Sequence, residues 1–298
     1  MKSKTPAILA TILAGVLWGT SPLFADILSD AGFSAIQMTA TRSGVTALTL
    51  GLVLLFLDRG AFRMRPRLIL LALFAGVGYF LTATFYYIAI GKIGAATAAV
   101  LLYTSPIYVL CVSIAALGEK LTKRKLTKRK LTATLLMLLG CILVSGVIGG
   151  FSGGILGVLF GLLSGATYSL YNLMTKIAVK GGARPISLTF YTFLFAALFA
   201  ITFADPIGYG RIVAGDATRL LPILLLLGII SCVFPYFLYT LSLVRLDAGV
   251  ASALSIVEPM AATLFGALFL SEIPSLPKWI GIALILLATL LFCREKSE

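Results

Sequence analysis

Two charged side chains in this sequence lie inside long apolar stretches. Glu258 stands directly before Pro259 in one stretch, and Arg42 lies within another. A charged group at the centre of a bilayer costs about 2.5–3.5 kcal/mol on insertion scales, so it usually faces a cavity or pairs with an opposite charge. We therefore predict that Glu258 binds a cation or takes up a proton, with a structural pair to Arg42 as the alternative. Arg42 could instead bind a carboxylate, because a guanidinium matches that geometry.

Aromatic and hydroxyl side chains recur at helical spacing. Tyr79, Thr82 and Tyr86 follow one another at i, i+3 and i+7, which places them on one helix face. Ring faces with a few hydroxyl groups suit an aromatic or amphipathic ligand. Tyrosine is also common at membrane interfaces, which is the alternative for each residue taken singly. The predicted pocket residues are Tyr79, Thr82, Tyr86, Tyr103, Tyr239, Ser252, Ser255 and Glu258, with Trp18 and Arg42 as secondary candidates and Tyr168 and Tyr171 as weaker ones.

Pro106 and Pro259 each lie near the middle of an apolar stretch. Proline has no N–H, so each frees the carbonyl four residues earlier, that of Leu102 or Ser255. At membrane depth such a carbonyl needs another donor, which a side chain, a water or a ligand ammonium group could supply. We predict a bend near each proline that serves as a hinge; a plain helix kink is the alternative.

The composition excludes a water-soluble globule. Hydrophobic residues make up 60% of the chain, charged residues make up 12%, and the mean hydropathy is +1.07. Because backbone groups in lipid must bond within the chain, apolar runs of about 17–25 residues predict transmembrane helices. The sequence therefore predicts an all-α membrane protein with ten spans, at 7–28, 35–57, 68–90, 95–117, 131–148, 155–178, 186–203, 220–244, 249–270 and 277–293.

The formal net charge of +13 lies mostly between the apolar runs. Nucleic acid is not a predicted partner, because the basic residues do not form one face with interleaved aromatic side chains. Lys and Arg concentrate in alternate loops, and the positive-inside rule then places both termini in the cytoplasm. Four cysteines within apolar runs and the lack of histidine predict no disulfide, metal or cofactor. The residues predicted to be interfacial anchors are Asp26, Lys92, Lys176 and Arg245.

The two halves of the chain repeat one another. A shift of 153 residues aligns Tyr86 with Tyr239, Lys92 with Arg245, Pro106 with Pro259 and Glu119 with Glu272, among others. The predicted repeats are residues 1–148, with helices 1–5, and residues 149–298, with helices 6–10. Because five is odd, the second repeat must enter the bilayer inverted relative to the first. Inverted repeats are a recurring transporter architecture, with the substrate site near the midplane.

Three short motifs, combined with ten spans, resemble a known family. They are Trp18-Gly19, the mid-helix Pro106 or Pro259, and Gly118-Glu119 or Ser271-Glu272 just beyond. The chain resembles the drug/metabolite transporter superfamily in its ten-helix EamA-type branch, and within that branch the bacterial aromatic amino acid exporters. The resemblance implies a basket-like fold and a central cavity lined largely by helices 3, 4, 8 and 9. Glu119 and Glu272 are motif positions, for which we expect structural or gating roles.

Several functions fit these patterns. The leading hypothesis is a secondary transporter of the bacterial inner membrane that exports small metabolites, most of all amino acids with an aromatic preference, by alternating access. Its expected partners are that substrate, the lipid bilayer and a coupling proton, while the oligomeric state stays open. No GxxxxGK[ST] motif supports ATP use. The alternatives are a passive facilitator, an exporter of drugs, nucleosides or sugars, and an intramembrane lipid-modifying enzyme, for which the chain has few acid–base groups.

Overall fold

The computed structural model describes residues 4–93, 95–105, 108–109, 128–145, 154–269 and 274–293. Within these ranges the regular structure is entirely helical, and no β-strand occurs. A helix satisfies its own backbone hydrogen bonds, which is what a chain surrounded by lipid requires. The predicted all-α membrane class is confirmed for the described part of the chain.

The helices follow the apolar runs closely. In the described ranges the α-helices are α1 Thr5–Trp18, α2 Ser21–Asp30, α3 Ala35–Leu57, α4 Pro66–Ile93, α5 Ala95–Leu102, α6 Lys128–Ser145, α7 Ile155–Lys180, α8 Pro185–Phe203, α9 Pro206–Gly215, α10 Ala217–Gly228, α11 Phe234–Ser242, α12 Ala248–Leu254, α13 Val257–Phe269 and α14 Leu276–Cys293. A 3₁₀ turn covers Arg59–Phe62, and a π-helical segment, Ile229–Val233, joins α10 to α11.

Seven stretches of the described chain are long and apolar enough to cross a membrane. They are Thr5–Asp30, Ala35–Leu57, Pro66–Ile93, Ile155–Lys180, Pro185–Phe203, Ala217–Ser242 and Ala248–Phe269. Shorter apolar stretches lie in α6 and α14, at Thr132–Leu143 and Leu276–Ala288. The predicted span 95–117 lies largely outside the described residues. The chain is thus a multi-pass membrane protein, and the number of ten spans stays a prediction.

The first predicted span is not one continuous helix. A turn at Gly19 and Thr20 separates α1 from α2. Pro22 has no N–H to offer the carbonyl of Trp18 four residues earlier, which weakens the helix at this point. The Thr20 hydroxyl donates to the Leu17 carbonyl at 2.7 Å and lies 3.1 Å from the Ser231 hydroxyl. The interruption therefore lies against the π-helical segment.

A short helix lies between the predicted spans 186–203 and 220–244. α9 begins at Pro206, and the Asp205 carboxylate accepts a hydrogen bond from the Gly208 amide at 3.1 Å. An acidic N-cap followed by proline is a common way to start a helix. Tyr209 of this helix packs edge-on against Phe33 at 5.3 Å between ring centroids.

The spanning helices pack in pairs. α4 packs against α7 and α8, α3 against α8, α6 against α14, and α1 against α11. Large apolar side chains such as Leu48, Leu52 and Phe56 are exposed on the outside of α3, where lipid would surround them. An ion pair of 2.6 Å joins Arg184, before α8, to Asp58, after α3, and holds the pKa of the Asp58 carboxyl below its usual range.

Lys176 is a structural clamp, whereas the sequence analysis predicted an interfacial anchor. Its side chain is 9% exposed, and its ammonium donates to the carbonyls of Leu243, at 2.7 Å, and Leu246. Both carbonyls follow the end of α11, where backbone acceptors no longer find helical donors. A cation near a helix C-terminus is also favoured by the helix dipole. The clamp ties the end of α7 to the end of α11.

We expect Lys176→Met to lower the melting temperature of the detergent-solubilised protein by about 3–10 °C, because hydrogen bonds to charged groups contribute about 1.5–3 kcal/mol each. The matched control is Lys180→Met, since Lys180 is exposed at the end of the same helix. Equal melting temperatures for the two variants, measured by the thermal shift of the purified proteins, would contradict the clamp.

Candidate functional site

One cavity in the described part of the chain collects most of the predicted pocket residues. Its volume is about 210 Å³, and it runs from the middle of the protein toward the end where α2 ends and α3 begins. The predicted residues in its wall are Trp18, Arg42, Tyr79, Thr82, Tyr86, Tyr103 and Glu258, together with the weaker candidate Tyr168. The other lining residues include Ser21, Asp26, Ser29, Met38, Tyr87, Leu102 and Tyr236.

Glu258 lies in the first turn of α13, a position created by the helix interruption at Ser255 and Ile256. The N-terminus of a helix carries a partial positive charge, which favours a carboxylate by about 0.3–1 kcal/mol. The Tyr103 hydroxyl lies within hydrogen-bonding reach of the carboxyl group. Tyr86 and Tyr168 are close enough to interact with it electrostatically. The helix break therefore supplies a prepared site for an acidic side chain facing the cavity.

Arg42 lines the same cavity and is held there by neutral partners. Its Nη2 donates to the Ser231 carbonyl at 2.9 Å, and its Nη1 lies 3.5 Å from the Tyr87 hydroxyl. Pro235 has no N–H for the carbonyl of Ser231 four residues earlier, which leaves this acceptor for the guanidinium. The side chain is 9% exposed, and its Nε has no hydrogen-bond partner among the described residues.

The two charges share the cavity without forming an ion pair. Among the residues that the structure describes, no ion pair joins Arg42 to Glu258. The field of Arg42 nevertheless reaches the Glu258 carboxyl group. The predicted alternative of a direct Arg42–Glu258 pair is therefore not what this structure contains. Both groups remain available to a ligand between them. The described residues hold no cluster of three potential metal ligands.

Aromatic rings pack against one another along and behind this wall. Tyr236 packs edge-on against Trp18 at 4.8 Å, against Tyr79 at 5.1 Å and against Tyr171 at 5.6 Å, measured between ring centroids. Tyr79 also contacts Phe193 at 4.6 Å. Aromatic pairs of this geometry contribute about 0.5–1.5 kcal/mol beyond the burial of their surface. The wall is thus rigid and presents ring edges and hydroxyl groups.

Three predicted pocket residues lie outside the cavity lining. Tyr239 is fully buried between Trp18 and Tyr171, with ring centroids 5.5 and 6.3 Å apart. The Ser252 hydroxyl lies 2.8 Å from that of Ser105, and the Ser255 hydroxyl donates to the Ser252 carbonyl at 2.7 Å. These side chains pack the helices together, because they face the interior of the bundle instead of the cavity.

Of the two predicted hinge prolines and the two motif glutamates, Pro259 is the one that the structure describes. Pro259 is the third residue of α13, directly after the helix break, so a break near this proline is observed while its use as a hinge stays a prediction. The Ser255 carbonyl that it frees accepts the Glu258 amide at 3.0 Å and needs no ligand. Pro106, Glu119 and Glu272 lie outside the described residues.

Several residues that line the cavity were not predicted to do so. Asp26 lies on α2 with its side chain exposed in the cavity wall, although its position near the end of a span suggested an anchor. Tyr236 and Tyr87 were not selected at all. Tyr87 directly follows Tyr86 on α4, and both residues line the cavity. For Tyr236, the available signal in the sequence was the proline directly before it, Pro235.

The family and the relatives that match this sequence are all described as transporters. The model of the EamA-like transporter family matches the chain twice, at residues 5–146 and 155–294. An "uncharacterized transporter" of Archaeoglobus fulgidus is 28% identical over 96% of both chains. The "uncharacterized transporter YwfM" of Bacillus subtilis is 28% identical over 53% of this chain and 52% of its own length. A protein of known crystal structure has the same fold, with a TM-score of 0.74 at 21% identity, covering 97% of this chain and 96% of that one.

Proposed function

Because the chain belongs to the EamA-like transporter family, we propose that it exports amino acids, with a preference for aromatic ones, by alternating access through the cavity described above. It is a multi-pass membrane transporter whose partners are a small-molecule substrate and the lipid bilayer. The main support for the proposed substrate is the composition of the cavity wall, which combines the Arg42 guanidinium, the Asp26 and Glu258 carboxyl groups and several aromatic rings. Such a wall complements a molecule with both charges and a ring.

We also propose the ten-span architecture of two inverted five-helix repeats, 1–148 and 149–298. The two family matches divide the chain at nearly the same place. A Cβ atom at Gly15 would lie 3.3 Å from the Ser255 carbonyl, and one at Gly165 would lie 2.9 Å from the Leu101 carbonyl. These contacts correspond across the repeats, since each glycine approaches the end of the helix that precedes a break. They support the duplication.

A matching turn gives further support to the repeats. Gly32 after α2 has φ +93°, and Gly182 after α7 has φ +90°. Only glycine adopts this left-handed region without strain, which is why it commonly ends helices. Each glycine is followed within a few residues by the next spanning helix, α3 or α8. The same helix–turn–helix unit thus occurs at corresponding places in the two halves.

The proposed orientation places the cavity mouth outside the cell. By the positive-inside rule both termini are cytoplasmic, in a bacterial inner membrane. Ser29, Met38 and Ile90 then lie toward the outer end, and the Lys176 clamp lies at the inner end. The structure would therefore represent an outward-facing state, and inward opening would require α7 to separate from the end of α11.

Transport into liposomes tests the proposed substrate. Purified protein is reconstituted into liposomes that are loaded with unlabelled phenylalanine. The entry of labelled phenylalanine or threonine by exchange is then measured, with protein-free liposomes as the control. We expect phenylalanine to exchange faster than threonine, because the aromatic wall favours a ring. Exchange of neither amino acid would remove the proposal. Movement that never proceeds against a gradient, whatever pH difference is imposed, would identify a passive facilitator.

A further inference from the structure

We infer that Arg42 binds the carboxylate of the substrate while Glu258 binds its ammonium group, so that the cavity selects a zwitterion over the corresponding amine or acid. This inference rests on the proposed function and specifies it at the level of atoms. It begins from the unusual state of Arg42. A buried charge is normally paired with an opposite charge. In the described part of the chain Arg42 has only neutral partners, the Ser231 carbonyl and the Tyr87 hydroxyl.

Two buried donors on this part of the wall lack acceptors. Within the described residues, neither Nε of Arg42 nor Nε1 of Trp18 has a hydrogen-bond partner, although both side chains line the cavity. An unsatisfied buried donor costs about 1–3 kcal/mol, so each of these groups would gain from an acceptor. The guanidinium also needs a counter-charge. A carboxylate provides both the acceptors and the charge, and Arg binds it with two parallel bonds.

Glu258 provides the complementary half of the site. Its neighbours on the wall are the hydroxyl groups of Tyr86, Tyr103 and Tyr168, none of which carries a positive charge. An ammonium group has three donors and would share them between the carboxylate and hydroxyl oxygens. Because Arg42 and Glu258 are not paired with one another, a zwitterion between them satisfies both without first breaking an ion pair.

The position of the charges also explains the need for a bipolar ligand. A purely cationic ligand would leave the Arg42 guanidinium buried without an anion, and a purely anionic ligand would leave Glu258 in the same state. A buried charge without an opposite charge beside it is costly, so a ligand that carries both charges gains at both ends. The side chain of the substrate would then lie along the rings of Tyr79 and Tyr236, which line the same cavity.

Binding of three related probes tests the inference. Phenylalanine, phenylethylamine and 3-phenylpropionate are titrated against the full-length protein in detergent by calorimetry. We expect Arg42→Gln to weaken phenylalanine binding by about 10- to 100-fold, the loss of a charge-assisted hydrogen bond, with phenylethylamine binding unchanged or tighter. Glu258→Gln should weaken the binding of phenylalanine and of phenylethylamine to a similar degree and leave the binding of 3-phenylpropionate unchanged.

The outcomes separate this inference from the proposed function. If wild-type protein binds phenylalanine but Arg42→Gln weakens phenylalanine and phenylethylamine equally, Arg42 is structural and the inference is wrong while amino acid export survives. If the wild type binds neither phenylalanine nor any other amino acid, the proposed function itself is wrong. Should Arg42→Gln not fold, Arg42→Lys keeps the charge and is expected to weaken phenylalanine alone; equal weakening of both probes would again overturn the inference.

Discussion

Proteoliposomes containing Glu258→Gln are expected to lose accumulation of phenylalanine against its gradient under an imposed pH difference. We propose that Glu258 takes up the coupling proton, and a neutral amide has no proton to exchange in this pH range. Downhill movement should persist at phenylalanine concentrations high enough to saturate the weakened site. The comparison is made with equal amounts of reconstituted protein, by measuring the internal and external label after the gradient is imposed.

The control for this experiment is Asp247→Asn. Asp247 is exposed and lies before α12, outside the cavity, so its neutralisation removes one carboxylate without touching the site. We expect this variant to accumulate phenylalanine as the wild type does. Undiminished accumulation by Glu258→Gln would show that another group couples the proton, and Asp26, the other carboxylate in the wall, would be the next residue to test.

Gly76→Val is expected to prevent assembly of the bundle. A Cβ atom at Gly76 of α4 would lie 2.6 Å from the Thr192 carbonyl and 2.9 Å from the Phe195 Cβ, both on α8. These atoms belong to or directly adjoin the backbone and cannot move aside as a flexible side chain would. Small residues allow helix backbones in a membrane to approach closely, so the valine must separate α4 from α8. Overpacking costs about 1–3 kcal/mol even in adaptable cores, and more is expected here.

Gly44→Val provides the matched control, because a Cβ at Gly44 of α3 would meet nothing within 4 Å. Both substitutions exchange the same residue types within a long helix, so the difference between them reports packing alone. The measurement is the yield of monodisperse protein by size-exclusion chromatography in detergent, with the melting temperature where protein is obtained. Similar yields and melting temperatures for the two variants would mean that α4 and α8 do not pack as described.

The membrane class and the positions of most helices could be predicted from sequence because they follow from one physical requirement. Long apolar runs indicate where the chain lies in lipid, and there the backbone must form helices to satisfy its hydrogen bonds. Interruptions are harder to predict, since they depend on partners from elsewhere. The break after Trp18 is stabilised by the contact of Thr20 with Ser231, two residues far apart in the chain.

The candidate site was predictable in part for a similar reason. Glu258 and Arg42 could be selected because a charge within a span is expensive wherever it points. Tyr239 was selected because it matches Tyr86 in the repeat, and Ser252 and Ser255 were selected by their spacing from Pro259. Neither signal shows which way a helix face points in the bundle. Tyr236 and Asp26 were missed because only the packed bundle shows that they border the cavity.

The most direct test of the central claim, that substrate binds in this cavity, uses the two tryptophans of the chain. Trp18 lines the cavity, whereas Trp279 on α14 is 50% exposed at the periphery. Titration with phenylalanine, which does not absorb at the excitation wavelength of tryptophan, should change the emission saturably, and Trp279→Phe should retain that change while Trp18→Phe loses it. A change that depends on Trp279 instead, or none at concentrations that saturate transport, would contradict binding at this site.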